Sequence, residues 1–315
     1  MGEGVHGPSG RGSGQHGVLV MAYGTPERTE DLEAYYTDIR RGRPPTPEQL
    51  DDLRRRYDAI GGLSPLAQRT RAQAAGLQRV LDERDPGQFR VELGLKHATP
   101  RIEDGAAALL DAGCRDIEYL VLAPHYSALS VGQYFDRASK AAEASGIEEL
   151  ETGGMTSWGE HPKLIALLAA RVSDALARLH ADAQVEVLVT AHSLPVRALE
   201  IDVPTYEEQL LRTGELVAKA AGLASWRIAW QSAGRTPEPW IGPDILDVIR
   251  TLPTEGFDAV VVCPAGFTSD HLEVLYDVDI EARKVAEDVG LQLERTASLN
   301  DDPAFLELLA DLVLS

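Results

Sequence analysis

Short apolar runs alternate along this chain with longer stretches whose apolar residues recur at helical spacing. The runs cover residues 17–22, 89–94, 117–123, 153–157, 185–191, 226–231, 259–264 and 291–295. Helical spacing is shown by Leu32, Tyr35, Tyr36 and Ile39, and again by Leu164, Leu167, Leu168 and Val172. Apolar strands that alternate with helices predict an α/β fold, built from parallel sheets with helices on both faces.

A short internal repeat indicates two such units. The run Val18-Leu-Val-Met-Ala-Tyr-Gly-Thr-Pro26 parallels Val187-Leu-Val-Thr-Ala-His-Ser-Leu-Pro195. Tyr23 then takes in the first half the position that His192 takes in the second. Coincidence is the alternative, because strand-to-loop junctions favour such residues in general. The repeat predicts that Tyr23 and His192 face one another across a cleft between two domains, a usual location for a ligand.

Charge and cysteine content exclude several kinds of partner. The 315 residues carry a formal net charge of −20, which disfavours nucleic acid and anionic membrane surfaces. No run approaches the roughly 18 apolar residues that a membrane span needs. Cys114 and Cys263 are too few for a disulfide framework or a four-thiolate iron–sulfur cluster, and they predict reduced thiols in a cytoplasmic protein. We interpret residues 1–16, rich in Gly, Ser and His, as a disordered tail.

Two polar residues that follow apolar strands are the strongest candidates for a functional site. His192 comes directly after the run 185–191, and Glu273 follows the run 259–264 after a short loop. Ligands of open α/β sheets bind at the carboxyl ends of the strands, where such loops meet. An imidazole and a carboxylate from two of these loops predict a site for a metal ion and for proton transfer.

Glu273 also begins a row of acidic residues. Glu273, Asp277 and Glu281 are spaced by four residues, which stacks three carboxylates along one face of a helix. A solvated surface face is the plain interpretation of such a row. The alternative is a path along which a hard cation loses its water, or along which protons leave, towards His192.

Six arginines fall between Arg40 and Arg56 of this acidic chain. They are either solvated helix ends, where cations favour the C-terminal dipole, or groups that recognise carboxylates with two hydrogen bonds. Two more histidines, His97 and His125, follow the second and third strand patterns. A single histidine in such a place is usually structural, and three of them favour a site modestly.

Six motifs occur together from Gly17 to Ser315. They are Met21-Ala-Tyr-Gly-Thr-Pro26, Tyr57-Asp-Ala-Ile-Gly-Gly-Leu-Ser-Pro65, Gly94-Leu-Lys-His97, Ala191-His-Ser-Leu-Pro195, Trp230-Gln-Ser232 and His271-Leu-Glu-Val-Leu-Tyr-Asp277. In these motifs the chain resembles the ferrochelatases, class II chelatases that insert Fe²⁺ into a porphyrin. Within the family it is most similar to the soluble, monomeric branch of Gram-positive bacteria, which acts on coproporphyrin III.

The resemblance implies two Rossmann-like domains with the porphyrin in the cleft between them. It implies an N-terminal domain of residues 17–152 plus about 300–315, and a C-terminal domain of residues 153–299. Fe²⁺ is then a substrate, and neither a permanently bound cofactor nor an iron–sulfur cluster is expected. The product is Fe-coproporphyrin III (coproheme), and transient contacts with neighbouring haem-pathway enzymes are compatible with this role.

The resemblance also assigns residues. His192 and Glu273 match the pair implicated in iron binding and pyrrole deprotonation, and Tyr23 matches the axial ligand of the product iron. Asp277 and Glu281 would relay metal or protons. The positions that match contacts to the porphyrin are Tyr23, Arg40, Arg56, Tyr57, Ser64 and Tyr134. Four propionates on coproporphyrin would explain the arginines of an acidic chain.

Three alternatives remain open at this stage. Protoporphyrin IX is the first, as a different substrate of the same enzyme. A cobalt or nickel chelatase for a sirohydrochlorin-type ring is the second, although such relatives usually rely on paired histidines. A non-catalytic tetrapyrrole carrier is the third, and it would need no base in its cleft.

Overall fold

Two four-stranded parallel sheets form the framework of the protein. A computed structural model describes residues 14–234 and 236–315. The first sheet has the order β2-β1-β3-β4, from strands β1 (His16–Ala22), β2 (Phe89–Leu95), β3 (Asp116–Val121) and β4 (Glu151–Gly153). The second has the order β6-β5-β7-β8, from strands β5 (Val185–His192), β6 (Trp226–Gln231), β7 (Ala259–Cys263) and β8 (Gln292–Arg295). The predicted α/β class is confirmed, and the two sheets share one strand order, as the internal repeat indicates.

Helices cover the faces of both sheets. The α-helices are α1 (Leu32–Ile39), α2 (Pro47–Ala59), α3 (Leu66–Arg84), α4 (Ile102–Asp111), α5 (Val131–Ala144), α6 (Pro162–Leu176), α7 (Tyr206–Ala221), α8 (Ile245–Thr251), α9 (Leu272–Leu275), α10 (Arg283–Asp288) and α11 (Pro303–Leu314). Short 3₁₀ turns occur at Thr29–Asp31, Val196–Glu200 and Leu252–Glu255. None of the helices within the described ranges is long and apolar enough to cross a membrane.

The central strands are buried on both faces, which explains their unbroken apolar sequence. Residues 18–21 of β1 are fully buried, and so is every residue of β7. Side chains from one face of each sheet meet a shared core, which includes Phe305 and Trp158 with ring centroids 6.1 Å apart. The sheets are therefore fixed relative to one another by a common apolar layer.

Two expectations about chain segments are wrong. The run 153–157 is not a strand, because β4 ends at Gly153 and the chain turns away at Gly154. A Cβ atom at Gly154 would lie 2.1 Å from the carbonyl oxygen of Tyr119, so the backbone passes too close to β3 for regular pairing. The predicted tail 1–16 ends too late, since His16 begins β1 and its Nδ1 lies 2.9 Å from Asp116 Oδ2. Residues 1–13 lie outside the described part of the chain.

Helix α11 ties the two halves together. Asp311 pairs with Arg84 of α3 at 2.8 Å and also with Lys163 of α6. Helix α3 packs on β2 of the first sheet, and α6 packs on β7 and β8 of the second. The division into domains predicted from the sequence stays a proposal, and these contacts explain why the C-terminal segment returns to the first half.

The segment after α9 is not a regular α-helix. Asp277–Ala282 forms a π-helix, in which the backbone N–H of Glu281 donates to the carbonyl of Tyr276, five residues earlier, at 2.9 Å. Such wide turns are rare and occur often at functional sites. The expectation of one continuous α-helical face from Glu273 to Glu281 is therefore wrong in its geometry.

We predict that Phe305→Ala lowers the free energy of unfolding by about 3–5 kcal/mol, because the substitution leaves a cavity in the shared core. Phe305 is fully buried, whereas Leu314 at the end of the same helix is 40% exposed. Leu314→Ala is the matched control and should cost less than about 1 kcal/mol. Urea unfolding followed by circular dichroism measures both; equal losses would contradict the shared core.

Candidate active site

The candidate site lies at the carboxyl ends of β5 and β7. These strands are neighbours in the second sheet, so the loops that follow them meet at one edge. His192 is the last residue of β5, and Glu273 lies in the short helix α9 after β7. His192 Nε2 lies 3.6 Å from Glu273 Oε1. The structure brings together the two residues that the sequence singled out.

Glu273 lies between two imidazoles. Its Oε2 is 3.6 Å from His271 Nε2, on the side away from His192. Each imidazole places its Nδ1 on a backbone carbonyl, that of Ser193 for His192 and that of Ser269 for His271. Since a carbonyl only accepts a hydrogen bond, Nδ1 carries the proton in both rings and Nε2 faces the carboxylate.

The carboxylate controls the protonation of His192. Burial alone lowers the pKa of this imidazole, but the adjacent charge of Glu273 outweighs it and raises the pKa to about 9. Burial would raise the pKa of the Glu273 carboxyl, whereas His192 and His271 hold it well below its ordinary value. At neutral pH the resting pair is therefore an imidazolium next to a carboxylate.

Asp277 continues the acidic row behind Glu273. It is 7% exposed and accepts a hydrogen bond from Ser232 Oγ. Arg56 Nη1 lies 3.8 Å from Asp277 Oδ1. Burial first, and then the charges of Glu273 and Glu281, raise the pKa of Asp277 to about 7. Asp277 is thus electrostatically coupled to both of the other carboxylates of the predicted row, although Asp277 and Glu281 lie in a π-helix and Glu273 in the α-helical turn before it.

Tyr23 lies at the carboxyl edge of the first sheet. It follows β1 and remains 41% exposed, with its ring 4.6 Å from the ring of His97. His97 Nδ1 lies 2.7 Å from Asp38 Oδ2, which also accepts from Arg101 Nη1 at 3.0 Å. Burial within the cleft, and then the charge of Glu273, raise the pKa of Tyr23 well above its ordinary value.

The negative charge of Glu273 also affects two other predicted site tyrosines, Tyr57 and Tyr134. Burial raises the pKa of Tyr57 to about 12, and it raises that of Tyr134 as well. The charge of Glu273 adds to both shifts. Tyr23, Tyr57 and Tyr134 come from three separate segments around the first sheet, and burial is the largest cause of the raised pKa of each.

Ser64, Arg40 and Arg56 form no hydrogen bond or ion pair with His192 or Glu273 within the described part of the chain. Ser64 is buried, and its Oγ accepts from the backbone N–H of Leu66 at 3.3 Å. Arg40 lies over the ring of Tyr36, with 5.7 Å between its guanidinium carbon and the ring centroid. No ion pair joins Arg40 to a carboxylate within residues 14–234 and 236–315. Arg56 instead lies 5.0 Å from the ring centroid of Tyr276.

The structure places His125 in the core and Trp240 beside the candidate site. His125 is buried, its Nε2 lies 2.8 Å from Thr213 Oγ1, and burial lowers its pKa to about 4. It belongs to the core and not to the site. Trp240, whose ring lies 6.5 Å from that of His192, places the loop after β6 against the site. This loop therefore forms one wall beside His192.

Sequence reasoning missed several residues around the site. Asp38 holds His97, and Gln231 Nε2 donates to the backbone carbonyl of Glu273 at 3.1 Å. Gln231 pairs with His192 in the register of β5 and β6. Its place at the end of a strand beside β5 was an available signal, whereas nothing local marks Asp38.

Comparison with known proteins agrees with this geometry. Residues 15–315 match the family model "Ferrochelatase". The chain belongs to the ferrochelatase family. As a member it is a lyase that inserts Fe²⁺ into a porphyrin in haem biosynthesis, which confirms the family predicted from the motifs.

Several curated relatives are similar over nearly their whole length. The coproporphyrin III ferrochelatase of Anoxybacillus flavithermus is 46% identical, with 95% of each chain covered. That of Bacillus subtilis is 44% identical, covering 95% of this chain and 96% of the relative. The ferrochelatase of Herpetosiphon aurantiacus is 45% identical, covering 96% and 99%.

A solved structure of lower identity shares the fold. SirB from Bacillus subtilis with Fe³⁺ superposes with a TM-score of 0.60 at 13% identity, covering 95% of this chain and 94% of that one. The match extends across both sheets, so the predicted fold of two parallel sheets, each flanked by helices, is confirmed.

We predict that the KM for Fe²⁺ falls as pH rises from 6.5 to 8.5. If Fe²⁺ binds at His192, it displaces a proton, and below the pKa of His192 the neutral fraction of the imidazole changes by about tenfold per pH unit. Asp277, with a pKa of about 7, loses its proton in the same window and adds negative charge. Anaerobic initial rates at varied Fe²⁺ measure this dependence.

Asp277→Asn serves as the companion variant for that measurement. It removes the titration of Asp277 near pH 7. The change of the KM for Fe²⁺ with pH that remains should then be the one caused by deprotonation of His192. A KM for Fe²⁺ that does not change with pH in the unaltered protein would contradict the ion pair as described.

Proposed function

We propose that this ferrochelatase inserts Fe²⁺ into coproporphyrin III and releases Fe-coproporphyrin III. The observation that carries the proposal is the His192–Glu273 pair, with 3.6 Å between Nε2 and Oε1, while Arg40 forms no ion pair with a carboxylate of the described residues. Coproporphyrin III is the ring named for the curated relatives from Anoxybacillus flavithermus and Bacillus subtilis. The four propionates of this ring need cationic partners. In a chain of net charge −20, an arginine without an acidic partner among the described residues is therefore a candidate for that role.

In this proposal His192 and Glu273 act on the metal side of the ring. Insertion takes two pyrrole protons from the ring for each Fe²⁺ that enters. The approaching dication repels the imidazolium proton, so His192 gives it up and presents a neutral Nε2 to the metal or to a pyrrole N–H. Glu273 is ionised in the resting enzyme, because the two imidazoles hold its carboxyl pKa low. Once His192 has released its own proton to solvent, this effect weakens, so His192 accepts one pyrrole proton and Glu273 the other, and both protons then pass to solvent.

Tyr23 takes the opposite face of the ring and becomes the axial ligand of the product iron. Its raised pKa means that the phenol is neutral in the resting enzyme. Only iron already seated in the ring would displace the phenolic proton. Tyr23 thus binds the product rather than the incoming metal. Its ring contact with His97 fixes the orientation of the phenol for that role.

Asp277 and Glu281 form the proposed relay. Asp277 titrates near neutral pH and lies between Glu273 and Arg56, so it can accept or release a proton while the reaction proceeds. Arg56 can then pair either with Asp277 or with a propionate of the porphyrin. Arg40, Tyr57, Ser64 and Tyr134 complete the proposed porphyrin contacts, and we propose that the enzyme acts as a cytoplasmic monomer.

We predict that His192→Ala reduces iron insertion by at least about 100-fold, because it removes both a metal ligand and a base. The substitution shortens a partly exposed side chain, so the midpoint of urea unfolding should change little. The exposed His180→Ala is the control and should retain normal turnover. Near-normal turnover in His192→Ala under anaerobic conditions would remove the proposed role.

We predict a higher kcat/KM for coproporphyrin III than for protoporphyrin IX, which has only two propionates. Arg40→Met should lower the value for coproporphyrin III by about 10- to 100-fold, through loss of a charge-assisted hydrogen bond, with a smaller effect on protoporphyrin IX. Arg79→Met, at an exposed arginine of α3, is the control.

Sirohydrochlorin with Co²⁺ is measured in the same series. A preference of the unaltered enzyme for protoporphyrin IX, or for sirohydrochlorin with Co²⁺, would overturn the proposed substrate. Binding of coproporphyrin III without insertion of Fe²⁺ would favour a carrier.

A further inference from the structure

Gln73 is a polar side chain that is completely buried in the middle of α3. Its Nε2 donates to Ser269 Oγ and to the carbonyl of Asn300, both at 2.8 Å, with a longer contact of 3.4 Å to the carbonyl of Thr268. Helix α3 packs on the first sheet, whereas Thr268 and Ser269 lie in the loop after β7 of the second. One side-chain amide therefore joins the two halves of the protein.

The orientation of this amide is determined by its acceptors. Two of the three contacts are backbone carbonyls, which only accept, so the NH₂ group must face them. Its other atom, Oε1, is buried and has no hydrogen-bond partner among the described residues. A buried oxygen without a partner costs about 1–3 kcal/mol. An apolar residue would avoid that cost, so packing alone does not explain a glutamine here.

The loop that Gln73 holds is the one that delivers Glu273. The carbonyl of Ser269 accepts a hydrogen bond from His271 Nδ1 at 3.0 Å, and Glu273 lies two residues after His271. Thr268 Oγ1 also donates across to the carbonyl of Leu122, at the end of the first sheet, at 3.3 Å. Glu273 is thus positioned from the first half of the molecule, whereas His192 belongs to β5 of the second.

We propose that Gln73 is a positioning residue that sets the place of Glu273 relative to His192 by holding the loop 268–271. The proposal rests on the role proposed above for Glu273. Loss of the amide would let this loop shift while the porphyrin contacts, which come from other segments, stay in place. The effect should therefore fall on iron and on turnover, and not on affinity for the ring.

The chain offers a matched control on the same helix. Gln78 Nε2 donates to the carbonyl of Phe89 at 3.1 Å, and its Oε1 accepts from the backbone N–H of Val91 at 2.7 Å. Gln73→Met and Gln78→Met remove the same groups from one helix and keep a similar side-chain volume. Only the first loosens the loop before Glu273, because Gln78 binds a strand of the first sheet.

Gln73→Met should lower kcat/KM for Fe²⁺ by about 10- to 100-fold, the scale expected for a displaced functional group, with lower kcat and higher KM for iron. The Kd of metal-free coproporphyrin, from fluorescence quenching, should stay within about twofold of normal. Hydrogen exchange measured by mass spectrometry should increase in the peptide that spans residues 268–275. Gln78→Met should change exchange only around residues 89–91 and leave both kinetic constants intact.

The outcomes separate this inference from the proposed function. If the two variants show the same kinetics and the same exchange in residues 268–275, Gln73 is structural only and the inference fails. Weaker porphyrin binding with an unchanged KM for iron also overturns it. If the unaltered enzyme inserts no Fe²⁺ into coproporphyrin, the proposed function fails, and exchange still decides whether Gln73 holds the loop. Should Gln73→Met not fold, Gln73→Asn, which shortens the amide by one carbon, takes its place.

Discussion

The contact between His192 and Glu273 depends on the parallel arrangement of β5 and β7. Parallel neighbours end at the same edge of a sheet, so an imidazole at the end of one strand and a carboxylate in the segment after the other come to the same edge. The loop between β7 and Glu273 then sets the distance between them. Each imidazole beside Glu273 is then oriented by a backbone carbonyl. Burial is the largest influence on the pKa values of His192, Asp277 and Tyr23, and the charge of Glu273 raises all three.

Much of this arrangement could be predicted from local sequence. Fully buried parallel strands are continuous apolar runs, so β1, β5 and β7 were evident, and the residues after them were the natural candidates. Local pattern failed where tertiary contacts decide. The run 153–157 has strand-like residues, but the close approach of Gly154 to Tyr119 ends the pairing. The spacing of Glu273, Asp277 and Glu281 fits an α-helix, yet a π-helix forms there.

Contacts between distant segments had no counterpart in the local sequence. Asp38 supports His97 from 59 residues away, and Gln73 reaches Ser269 across 196 residues. Neither is marked by a motif of its own, since a buried glutamine in a helix has the same local pattern as an exposed one. Whether Nδ1 or Nε2 of His192 faces the carboxylate likewise depends on where the carbonyl of Ser193 lies.

The wide turn at Asp277–Ala282 holds one residue more than the α-helical turn it replaces. Ala282 and Ala286 beyond it are anchored in the core of the second half, while Glu273 before it faces His192. Deleting one residue between these anchors would restore ordinary helical winding and leave both flanks facing as they do. In a regular helix such as α3, the same deletion would rotate one flank by about 100° relative to the other. This segment therefore accommodates the loss of one residue better than a regular helix does, although the widened turn beside the acidic row would be lost.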